Sequence, residues 1–142
     1  MKEEFIEDIR SVLTENLGYF VTHYGDAEIS DGWKLSIQGE TLDDAEFLYQ
    51  NLIGFLMISK CSFKFGTNKL INCGHTQQSK KLLTIYIPNG VDVKSFAELV
   101  YLHIPDYMGG YNVPAPESYT HYKNAIYYRN DRDENGEYIP AN

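Results

Sequence analysis

The chain has little that marks a secreted, membrane-spanning or metal-binding protein. No apolar run approaches the roughly 18 residues of a membrane span. The opening MKEEFIEDIR is acidic where a secretory signal needs a basic start and an apolar stretch. There are two cysteines, Cys61 and Cys73, which allow one disulfide at most and form no C-x-x-C. They fit reduced thiols and a cytoplasmic location. The four histidines, His23, His75, His103 and His121, are scattered without H-x-x-x-H spacing, so no metal and no cofactor is expected. A Walker loop, a G-x-G-x-x-G and a G-x-S-x-G are all missing. Bases are scarce: 12 Lys and Arg stand against 20 Asp and Glu, for a net charge of −8. Phosphate backbones and anionic membranes select for Lys and Arg, so neither nucleic acid nor membrane is expected as a partner.

What is present suits one globular domain. The 142 residues are 43% hydrophobic and 23% charged, enough to bury a core without staples. Tyrosine is over-used, with twelve. Phe5, Ile6, Ile9, Val12, Leu13 and Leu17 recur at helical spacing, which predicts a helix over 3–17 ending at Gly18. Residues 24–32 read as turns. Trp33, Leu35 and Ile37 alternate with Lys34, Ser36 and Gln38, the pattern of a half-buried strand. Thr41 and Asp44 form a capping box that opens a helix to about Ser59. A second alternating strand spans 61–65, a short helix follows near 68–72, and 75–81 is a polar loop. A third strand spans 82–87 and stops at Pro88-Asn89-Gly90. A third amphipathic helix covers 92–104, a Gly-, Pro- and Tyr-rich loop covers 105–120, and a last strand covers 124–129. The expected fold is α+β: a small mixed sheet covered by helices on one face, with a catalytic or anion-binding face opposite. Residues 1–130 form the domain, and 131–142 read as a polar tail or a linker to a following domain.

The uncovered face carries the functional signal. It collects Lys34, Ser36, Lys64, Thr84, Tyr86 and Arg129, with no acid among them. Like charges side by side in a sheet repel, and an anion among them removes the penalty.

These residues also carry a resemblance. Gly32-Trp33-Lys34-Leu35-Ser36-Ile37 resembles the G-W-K-I-H-V segment of the phosphoserine/phosphothreonine lyase domain that opens class III and class IV lanthipeptide synthetases. Phe63-Lys64-Phe65 resembles its F-K-F strand, and Asn72-Cys73-Gly74 its N-S-G turn. Lys81-Leu82-Leu83-Thr84-Ile85-Tyr86 with Pro88 is similar to its G-K-F-I-T-V-Y-P strand, and Ala125-Ile126-Tyr127-Tyr128-Arg129 to its V-Y-Y-R segment. That domain is similar in turn to phosphothreonine lyases secreted as bacterial effectors. The resemblance implies a metal-free β-elimination of phosphate from a phosphorylated precursor peptide, leaving dehydroalanine or dehydrobutyrine. It implies Lys64 as general base and Tyr86 as the group that orients base or substrate. Lys34, Arg129, Lys81 and Lys123 become the phosphate-binding set, and kinase and cyclase domains would follow residue 142.

Two positions depart from the family. Ser36 occupies the place of the histidine that protonates the leaving phosphate, and a serine is no acid near pH 7. Glu117-Ser118-Tyr119 stands where the family has an upstream arginine, with Lys123 or His121 as substitutes; His75 or His121 is the substitute acid. Two other readings stand beside the enzyme: a degenerate lyase fold that binds a phosphorylated or leader peptide without chemistry, and an unrelated interaction protein using the Tyr101–Tyr122 loop.

Overall fold

The alternation at Trp33–Gln38 becomes part of the longest strand of a six-stranded sheet. The computed structural model describes residues 2–15, 18–27, 29–73, 80–110, 113, 115–132 and 135–139. The elements run α1 (Lys2–Glu15), β1 (Phe20–His23), β2 (Ile29–Gln38), α2 (Leu42–Ile58), β3 (Ser62–Gly66) and α3 (Asn68–Ile71). They continue with β4 (Lys81–Pro88), α4 (Val93–His103), β5 (Thr120–Lys123) and β6 (Ile126–Asn130). The strands lie in the order β1-β3-β4-β2-β6-β5.

The α+β class with helices on one face is as the sequence reading has it, but the sheet is larger and not mixed. Every pairing is antiparallel. The crossover through α2 makes β2 and β3 parallel to each other, yet β4 inserts between them and pairs with both. Two strands fall almost wholly where the sequence reading assigns no element, and β2 begins within the 24–32 stretch expected as turns. Phe20–His23 pairs with β3 at one edge, and Thr120–Lys123 forms a hairpin with β6 at the other. The hairpin turns on Asn124, whose φ of 51° is left-handed backbone that Asn tolerates.

Helix starts follow local chemistry. Thr41 accepts from the Asp44 amide while the Asp44 carboxylate accepts from the Thr41 amide, the capping box expected for α2. Asp92 caps α4 through the Ser95 amide. Leu35, Ile37, Phe63, Phe65, Leu83, Ile85, Ile87 and Ile126 project to the helix side. There they meet Ala45, Leu48, Leu52 and Leu56 of α2 and Phe96, Ala97 and Val100 of α4, all buried. Arg10 ties α1 to α2 through Asp43, at 2.9 Å, and Glu46. Cys61 and Cys73 are free thiols. No helix among the described residues is long and apolar enough to cross a membrane.

The chain after β6 turns back on itself. Asp131 N–H donates to the Gly32 carbonyl, and Arg132 bridges Tyr138. Gly32 makes this approach possible. Its φ is +93°, and a Cβ there would stand 2.4 Å from Arg132 Cγ and 2.7 Å from Asp131 Oδ1.

Candidate anion-binding site

The face left bare by the helices is built by register. In an antiparallel sheet, directly paired residues share a face. Lys34 pairs with Tyr86 on one side and Arg129 on the other. Ser36 pairs with Thr84 and Tyr127, and Lys64 pairs with Thr84. Lys34, Lys64, Tyr86 and Arg129, expected together, are therefore brought together across four strands.

Lys81 joins them by an irregularity. Strict alternation would send it to the helix side with Leu83 and Ile85. The pairing skips a residue between Ile37↔Leu83 and Gln38↔Lys81, which resets the direction of Lys81. Its ammonium lies 5.6 Å from the Tyr119 ring centroid, and the Arg129 guanidinium lies 5.8 Å from the same ring.

These charges are poorly hydrated. Lys34, Lys81 and Arg129 are 8%, 9% and 3% exposed, and Lys64 is half-buried. Burial lowers the Lys64 pKa. Burial also lowers that of Lys34, which Asp131 partly restores while Arg129 and Lys64 oppose it. Lys81 falls furthest, to about 8, through burial and then the positive charges of Lys34, Lys64 and Arg129. Burial, reinforced by the Asp131 charge, raises Tyr86.

The cations differ in what already engages them. Lys34 Nζ lies 3.5 Å from Asp131 Oδ2. Arg129 donates to Ser118 Oγ at 3.2 Å and to the Ile139 carbonyl of the returning chain. Lys64 lies 4.4 Å from the Phe20 ring centroid. Two buried side-chain polar atoms have no hydrogen-bond partner among the described residues: Tyr119 Oη and Asp131 Oδ1. Both belong to this site.

Three expectations do not join the cluster. Lys123, expected with the phosphate-binding residues, is turned toward α4, 3.3 Å from Glu98 and 4.4 Å from the Tyr101 ring centroid, and so stands apart from the clustered cations. Ser36 lies on the right face but is fully buried, and its hydroxyl donates to Gln38 Oε1 at 2.9 Å. His121 shares the face at the sheet edge, exposed, with Nε2 donating to the Asn124 carbonyl at 2.7 Å. His75 lies outside the described residues. The sequence reading missed Asp131, placed in the tail, and Tyr119, noted only as standing where an arginine was sought. Among the described residues no group of three or more His, Cys, Asp or Glu side chains is placed to hold a metal ion. A separate groove of about 310 Å³, lined by Val21, Tyr49, Ile53, Met57 and Phe63 among others, holds no Lys or Arg and lies on the helix side.

No family model matches the chain, and no curated protein matches it in sequence. Solved structures do. The Chromobacterium violaceum VirA (SpvC) phosphothreonine lyase effector superimposes with a TM-score of 0.59 at 18% identity, over 81% of this chain and 62% of that one. A phosphothreonine lyase solved for insight into its enzymatic mechanism gives 0.58 at 18% identity, over 81% and 62% of the two chains. Another, solved for its catalytic mechanism, gives 0.57 at 20% identity, over 84% and 66%. The chain has the phosphothreonine lyase fold and spans about 62–66% of the length of these lyases.

Proposed function

We propose that this chain is a phosphoserine/phosphothreonine lyase that eliminates phosphate from a phosphorylated precursor peptide, as in lanthipeptide biosynthesis. The observation that carries the reading is the convergence of Lys34, Lys64, Lys81 and Arg129 on one face of a protein with net charge −8. Holding buried cations together is unfavourable until an anion joins them, and a phosphate monoester brings up to two negative charges.

In the reaction a base takes the α-proton of the phosphorylated residue. The C–H electron pair becomes the Cα=Cβ double bond. The Cβ–O bond breaks, and its electrons leave with phosphate. The products are inorganic phosphate and dehydroalanine or dehydrobutyrine. The charge developing on the leaving group is met by cations already in place, so the step needs no metal. Lys34, Lys81 and Arg129 hold the phosphate.

Lys64 is the base, although Lys81 has the lower pKa. Burial is the main cause at Lys81 too, but the charges of Lys34, Lys64 and Arg129 add to it, and a bound phosphate cancels that addition. At Lys64 burial is the cause, and that survives phosphate binding. Tyr86, paired in register with both Lys34 and Ser62, orients the substrate between them. The precursor peptide, and kinase and cyclase domains that phosphorylate it and use its product, are the partners of this reading.

One observation favours a binding module instead. Ser36 stands at the acid position with its hydroxyl committed to Gln38, and no imidazole among the described residues contacts the four cations. Lys64→Ala and Lys81→Ala separate the readings on a phosphothreonine peptide. For the lyase, Lys64→Ala lowers turnover by ~10² or more with little change in peptide affinity. Lys81→Ala mainly raises KM. For the module, no phosphate is released by the wild type, and both variants only weaken binding.

A further inference from the structure

We infer that Tyr119 is a phosphate ligand, its hydroxyl donating a hydrogen bond to an oxygen of the bound phosphate monoester. The inference rests on the anion-site reading above and adds a residue to it.

The argument begins with an unmet bond. Tyr119 is 8% exposed, and its hydroxyl finds no partner among the described residues. A buried hydroxyl without a hydrogen bond is unfavourable, and such groups are few in native proteins. Native structures tolerate them where a ligand completes the set. Here the ring carries Lys81 and Arg129 on it, at 5.6 and 5.8 Å from its centroid. Arg129 shares the sheet face of Lys34 and Tyr86, so the ring it flanks stands at that same face. An anion drawn to Lys81 and Arg129 therefore arrives beside a free O–H.

The environment also fixes the direction of the bond. Burial raises the Tyr119 pKa to about 12, so the hydroxyl keeps its proton and acts as a donor at any working pH. Such a group stabilises charge on the leaving oxygen without giving up a proton. It thereby supplies part of what a cation at this point of the chain would supply.

The test uses the full chain, inorganic phosphate as probe, and Tyr119→Phe. The Phe ring preserves the packing and both cation contacts and deletes only the hydroxyl. Calorimetric titration should show phosphate affinity lower by about tenfold, the ordinary worth of one hydrogen bond to a charged group. The melting temperature without phosphate should be unchanged or higher, because no bond is lost there. Unchanged affinity overturns the inference. A lower melting temperature in the unliganded variant also overturns it, since the hydroxyl then has a structural partner. Wild-type protein that binds no phosphate at all, with Arg129→Gln behaving identically, sinks the anion-site reading itself and this inference with it.

Discussion

Lys34 Nζ lies 3.5 Å from Asp131 Oδ2, and both side chains are largely buried. Asp131 is the one acid the described structure pairs with the four clustered cations. It partly neutralises the field that an incoming phosphate needs. Asp131→Asn should therefore tighten phosphate binding by about threefold to tenfold at pH 6–7, as expected for removing a like charge at short range. Calorimetric titration of inorganic phosphate checks it. Weaker binding would mean that the carboxylate chiefly keeps Lys34 charged.

Phosphate affinity should depend on pH through Lys81. Its folded pKa, about 8, lies below the ordinary 10.5. Below about 8 the ammonium is charged and attracts the anion; as pH rises through 8 the proton is lost and affinity falls. Phosphate gains its second charge near pH 6, so binding should peak between about 6 and 8. Lys81→Met should remove the upper limb. Stability should move the other way. Between about 8 and 10.5 the unfolded chain holds a proton that the folded chain has lost, so this group's contribution to stability rises with pH in that window. Titrations and urea melts at pH 7 and 9 test both signs. An affinity that stays flat from pH 7 to 9.5 contradicts the assignment.

Ser36→His looks like a repair of the acid position when the sequence is read alone. The structure argues otherwise. Ser36 is fully buried between Thr84 and Tyr127 and already bonded to Gln38. An imidazole there overpacks the site and should destabilise the fold by about 1–3 kcal/mol. Urea denaturation measures this directly; an unperturbed midpoint would show room for a ring.

Much of the site was legible because strands alternate. Lys34 and Ser36 were readable as one face, and Lys64 and Tyr86 as outward residues of their strands. The helix capped by Thr41 was likewise written in local chemistry. What alternation cannot show is a break in itself. Lys81 reaches the cluster through a register shift, and no pattern of residues 81–87 announces that. Lys123 stands apart for the opposite reason: a four-residue edge strand carries too little periodicity to fix its facing, and Glu98 and Tyr101 of α4 claim the ammonium. Asp131 entered through the turn at Gly32, a contact between segments about a hundred residues apart. Tyr119 was invisible because its significance is an unmade bond, which only coordinates reveal.

The central claim is that this face eliminates phosphate rather than only holding it. Mass spectrometry of phosphothreonine and phosphoserine peptides incubated with the wild-type chain tests it most directly. Elimination leaves a peptide lighter by about 98 Da, the mass of phosphoric acid removed from the phosphorylated residue. Hydrolysis removes only about 80 Da, because water restores the hydroxyl. The account predicts the 98 Da product, unaffected by a metal chelator and lost in Lys64→Ala. Intact phosphopeptide after long incubation, or an 80 Da loss, contradicts it.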